Sequence, residues 1–169
     1  MENKVDSTKK WLKEIIIDLN LCPFAHNPYK NSQINFTLSS PEELEATMLK
    51  EIQGIEANNF STSLVIYDAP ISFREFLNLL DYLSMSLDPL GTYQFIAFHP
   101  DFKFETTEDS DRGNLVNRSP FPTIHILLNA ELDELLSTEE AIGLSERNEV
   151  KLNKMSQNQI NSLFSYLKR

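Results

Sequence analysis

The sequence predicts an α/β fold, with α+β as the alternative: a mixed, mainly parallel sheet of about four strands covered by helices. Three observations carry this. Segments with apolar residues at helical spacing alternate with short runs rich in β-branched and aromatic residues. The two clearest helices bring their own start signals. The composition, 41% hydrophobic and 24% charged over 169 residues, is that of an ordinary globular chain with enough material for one substantial core.

In chain order, a first helix is expected from about Ser7 to Asn20, with Trp11, Ile15, Ile16 and Leu19 on one face and Asp6 or Ser7 as cap. A strand follows over Ile34 to Leu38. The second helix is the best signalled, with Ser40 as N-cap, Pro41 at N1 and Glu43 at N3 making a capping box before Leu44, Met48, Leu49, Ile52 and Ile55. Leu64 to Tyr67 reads as the next strand. Ser72 and Glu75 repeat the capping logic ahead of Phe76, Leu79, Leu80 and Leu83, and this helix must end before Pro89-Leu90-Gly91. Strands are then expected over Tyr93 to Phe98 and Thr123 to Leu128, a helical turn or two over Glu131 to Leu136, and a closing helix over Ser156 to Lys168. The order α-β-α-β-α-β-β-α implies parallel pairing among the first three strands, with the fourth returning antiparallel beside the third.

Neither repeats nor low-complexity linkers divide the chain, so residues 1–169 read as a single domain. The formal net charge of -10 argues against nucleic acid as a partner, since such binders need a basic stripe. No stretch is long and apolar enough to span a membrane, and the amino terminus lacks the layout of a signal peptide. The single cysteine, Cys22, rules out an intrachain disulfide. A reducing compartment, by default the cytoplasm, is the expected location.

Function is expected where two segments meet. Phe98-His99-Pro100-Asp101-Phe102 closes the third strand, and Asn117-Arg118-Ser119-Pro120-Phe121-Pro122-Thr123-Ile124-His125 opens the fourth. Open α/β sheets hold ligands at the carboxyl ends of their strands. Asp68 and His99 belong there, and an antiparallel fourth strand brings Asn117, Arg118 and Ser119 to the same edge. Pro120 and Pro122 favour an extended approach to that strand.

His99 is a candidate general base or metal ligand, with Asp101 placed to orient it; a strand-end histidine bonded to backbone is the competing role. His125, inside an apolar strand, fits a satisfied core histidine as readily as a catalytic one. Cys22, His99 and His125 have zinc-ligand chemistry with Asp101 as a fourth group, yet no short ligand pair supports it. The same three residues could form a thiolate nucleophile with a histidine base. Arg118 and Arg147 are candidates to fork onto a carboxylate or phosphate, their alternative being internal pairing. With four glycines and no Walker or dinucleotide pattern, phosphate loops are excluded.

Asn20-Leu21-Cys22-Pro23-Phe24-Ala25, the two segments above and Glu146-Arg147-Asn148 together resemble the bacterial family called domain of unknown function 1415, over nearly the whole chain and in order. That resemblance implies a shared architecture and places Cys22, His99, Asp101, Asn117, Arg118, His125, Glu146 and Arg147 in one constellation, without supplying a reaction or a cofactor. The expectation is a small enzyme that binds an anionic small molecule, with acid-base or hydrolytic chemistry favoured. The alternatives are a non-catalytic module whose polar residues form an internal network, and a metal-dependent site.

Overall fold

The computed structural model of the chain describes residues 3–168. Helix α1 covers Lys4–Trp11, capped by the Asn3 side chain, which accepts from the Val5 N–H. The expected cap at Asp6 or Ser7 is therefore one turn too late. The same helix continues as a π-helical turn over Leu12–Ile17, in which the Asp18 N–H reaches back five residues to Lys13 O at 2.9 Å. Asn20 then takes a positive φ of 49°, an angle asparagine tolerates, and the helical run stops. A short helix α2 follows at His26–Lys30.

Strand β1 (Ile34–Ser39) leads through Pro41–Glu43 to α3 (Leu44–Glu56), then β2 (Thr62–Tyr67), α4 (Phe73–Leu87), β3 (Tyr93–Phe98) and β4 (Thr123–Leu128). The capping box expected at Ser40 does not form. Pro41–Glu43 is a tight 3-10 turn in which the Glu43 N–H bonds the backbone of Ser40 instead of its hydroxyl. The box at Ser72 and Glu75 is complete. After β4 come α5 (Asn129–Leu136), α6 (Leu144–Lys154) and α7 (Gln157–Leu163), the last opened by a second complete box from Ser156 and Gln159.

The sheet order is β1-β2-β4-β3. β1 and β2 pair in parallel, and β4 is antiparallel to both β2 and β3. The mixed four-stranded sheet is as expected, and so is the antiparallel β3–β4 pair. The parallel β2–β3 pairing is not, because β4 inserts between them. Burial explains the order: Ile124 and Ile126 on one face of β4 are fully buried, as is most of β2, whereas β3 and β1 carry partly exposed residues suited to edges. The long connection after β3 gives the chain the length to place its best-buried strand centrally.

One face of the sheet packs on α3 and α4 through Met48, Val65, Phe76, Leu83, Phe95 and Ile124. The other packs on α1, the π-helical turn and the carboxyl-terminal helices through Trp11, Ile15, Leu64, Leu152 and Phe164. Gly54 shows how tight the first layer is: a Cβ there would clash with Cζ of the Phe60 ring. Gly54→Ala should therefore cost about 1 kcal/mol in denaturant unfolding, although alanine favours an exposed helix by a similar amount. A gain in stability would mean the Phe60 ring moves aside freely.

Among the described residues, no helix is long and apolar enough to cross a membrane.

Candidate functional site

All three parallel-running strands end on one edge, and β4 begins there. Backbone bonds lock the junctions: Asp68 N–H to Ser39 O at 2.8 Å, Tyr67 N–H to Pro122 O at 2.9 Å and His99 N–H to Asn117 O at 3.1 Å. The expected convergence of Asp68, His99, Asp101 and Asn117 to Ser119 is thus a feature of the fold. Beside this edge lies a cleft of about 760 Å³. One wall is the helical stripe Lys4, Ser7, Lys10, Trp11 and Glu14, whose spacing of three and four puts them on one face. His99, Asp101, Phe121 and Tyr166 line the cleft as well.

His99, only 2% exposed, stands between the Phe73 and Phe76 rings of α4. Its Nδ1 accepts from the Asp101 N–H at 3.0 Å, so Nε2 carries the proton and donates to Ile71 O at 3.1 Å. The Asp101 carboxylate is 3.9 Å from Nδ1 and points largely to solvent. The ring is a neutral imidazole clamped to two backbone groups. It supports the loop and still lines the cleft.

The rest of the central motif turns inward. Arg118 donates from Nε to Phe102 O at 2.9 Å and from a terminal nitrogen to Asp109 O at 3.1 Å, and its own carbonyl accepts the Tyr166 hydroxyl at 2.9 Å. Ser119 is fully buried and donates to Phe121 O at 2.6 Å. Burial pushes the Tyr166 phenol far above its ordinary ionisation range, with the Trp11 indole acting weakly the other way. That indole N–H meets no acceptor at hydrogen-bond geometry.

His125 lies on the opposite face of the sheet from His99, stacked on Phe98 at a centroid distance of 5.8 Å. Thr62 gives its hydroxyl proton to Ile126 O at 2.6 Å, which leaves the His125 Nε2–H to donate to the Thr62 oxygen at 2.7 Å. The two histidines cannot share substrate. Burial lowers the His125 pKa from 6.5 to about 4. The unfolded chain takes up a proton below the ordinary value that the fold refuses until about pH 4, so this residue destabilises the protein as pH falls through that window. With the ring partly reached by solvent, the loss should be about 2 kcal/mol between pH 7 and pH 4. His125→Gln should remove that component; an unchanged pH profile of unfolding in the variant would refute it.

Cys22 packs into the second core layer, and burial raises its pKa against the opposing N–H groups of Phe24 and Ala25. That disfavours a thiolate, and Cys22 does not line the cleft. Among the described residues, no three His, Cys, Asp or Glu side chains are grouped to hold a metal ion, so the Cys22, His99 and His125 set does not assemble. Arg147 curls back onto the carbonyls of Ile142 and Glu140 at the start of α6. Glu146 sits near it on the outer surface, away from the cleft. The expected arginine clamp therefore has no geometric basis, since Arg118 and Arg147 both end on backbone carbonyls.

The neighbouring Asn148 does the joining in that segment: buried, it donates to Leu21 O at 2.7 Å, while Lys151 donates to Leu19 O at 2.7 Å. The Cys22 and Glu146 segments thus meet each other, apart from the His99 edge. Three further residues carry unexpected weight. Asn114 organises the long loop, Arg112 caps the end of α6 through Leu152 O and Met155 O, and Glu51 is buried under α3. Only Glu51 had a sequence signal, since it falls on the apolar stripe of its helix, three residues after Met48 and four before Ile55.

A protein-family model described as protein of unknown function (DUF1415) matches residues 3–162. No curated protein and no solved structure matches the chain.

Proposed function

Because the chain belongs to the DUF1415 family, whose description carries no activity, we propose from the geometry that it is a cytoplasmic protein binding a small molecule with an acidic group in the cleft beside His99. The observation that carries this is Lys10, an exposed cation on the cleft wall whose side chain makes no hydrogen bond or ion pair among the described residues. A cleft of about 760 Å³ with mixed polar and aromatic walls has the dimensions of a small-molecule site. The central motif serves as its support: Arg118, Ser119 and Asn114 tie the long loop to itself and hold Phe121 and Asp101 in place. This joins the binding reading to the internal-network one.

The predicted site residues that line the cleft are His99 and Asp101. Both ring nitrogens already serve backbone groups, so binding is better supported than proton transfer. The test is a titration with small aromatic carboxylates and inorganic phosphate, followed through the amide resonances of residues 98–101 and 120–122. Perturbations should cluster at the cleft and weaken at least tenfold in Lys10→Glu. Perturbations that ignore Lys10, or none, would refute the site.

A further inference from the structure

The charges on the cleft wall differ in how far they are already committed. Lys4 is held by Asp68 at 2.6 Å and lies 5.1 Å from the Phe121 ring centroid, so it is largely neutralised before any ligand arrives. Lys10 has no such partner among the described residues, and neither does Glu14. Asp101 is 83% exposed and lies 3.9 Å from His99 Nδ1, a neutral group whose lone pair is occupied by the Asp101 N–H. Among the described residues, the uncommitted set is thus one ammonium and two carboxylates.

That set discriminates between ligand classes. A polyanion such as a nucleoside phosphate would meet one uncommitted cation, Lys10, and two like charges, in a chain whose net charge is -10. A plain carboxylate would leave Glu14 and Asp101 facing it with no compensation. A ligand bearing both a carboxylate and an ammonium offers a group of opposite charge to each of the three. The remaining wall is mixed, with serines beside apolar and aromatic groups that include Ile15, Tyr67, Phe121 and Leu163, and those apolar groups suit an apolar side group on the ligand.

We propose that the cleft takes a zwitterion with an apolar side group, of the α-amino acid class, its carboxylate on Lys10 and its ammonium toward Glu14 and Asp101. This rests on the cleft being the binding site. The test uses matched sets of probes: phenylalanine, 3-phenylpropionate and phenethylamine, and likewise leucine, 4-methylpentanoate and isoamylamine, titrated by calorimetry against the full chain. In at least one set the amino acid should bind ten or more times tighter than either single-charge analogue. Lys10→Met should reduce it to the level of the amine, and Glu14→Gln with Asp101→Asn to the level of the acid. All three side chains lie at the surface, so thermal unfolding should stay unchanged and confirm that the variants fold. If the acids bind as tightly as the amino acids, the zwitterion proposal falls while the anion cleft stands. If no probe binds, or binding ignores all three substitutions, both fall.

Discussion

Glu51→Ala is expected to lower the unfolding free energy by about 4 kcal/mol, the largest effect of any single polar substitution in this protein. The carboxylate is 3% exposed and accepts from Asn35 Nδ2 at 2.6 Å, Thr37 Oγ1 at 2.8 Å and Ser63 Oγ at 2.6 Å. Those donors stand on the faces of β1 and β2 that turn toward α3, where an apolar sheet face would be ordinary. Removing the acceptor strands one amide and two hydroxyls beneath the helix and opens a cavity as well. Glu51→Gln keeps the volume and one acceptor oxygen, so it should cost about half as much. Denaturant unfolding of both variants decides the matter. If the alanine variant loses under 1 kcal/mol, the three donors find other partners and the network is not what holds α3 on the sheet.

Asn114→Ala should come next, at about 3 kcal/mol, with its consequence local to the cleft's supporting loop. Asn114 is fully buried, accepts from Phe104 N–H at 3.0 Å and Thr107 Oγ1 at 2.8 Å, and donates to Glu108 O at 2.8 Å. One side chain thereby fixes three points along a loop that has only short turns of its own. Its loss should speed hydrogen exchange at Phe104 and expose residues 103–111 to proteolysis while the core amides of β2 and β4 keep their protection. Uniform loosening of the whole domain would instead place Asn114 in the global folding unit. Because the same loop carries Asp101 at one end and Phe121 at the other, ligand binding in the cleft should weaken in parallel.

Helices α3 and α4, on one face of the sheet, were legible because their signals are local. Ser72 and Glu75 are three residues apart, and the apolar stripe from Phe76 to Leu83 repeats at helical spacing; the structure follows both. Strand positions were legible for the same reason. Ser40 shows the limit of such signals, since a bond from the Glu43 N–H to backbone competes with one to the hydroxyl, and only the approach of the chain selects between them. Helix α6 was missed because its buried face is narrow, reduced to Asn148 and Leu152, and one of those is polar.

For the site, the sequence by itself determined which polar residues gather at one sheet edge, because the antiparallel β3–β4 pair and the two flanking segments leave His99, Asp101 and Asn117 to Ser119 little freedom. It could not determine their use. A guanidinium that grips a ligand and one that grips the carbonyls of Phe102 and Asp109 have the same local sequence; loop geometry alone separates them. Nor could it place the two histidines, whose separation onto opposite faces depends on the alternation of β3 against β4 and hence on register. The cleft wall came from helix α1, whose charged stripe reads locally as solvated surface, and only tertiary packing against the sheet edge turns Lys10 and Glu14 toward a site.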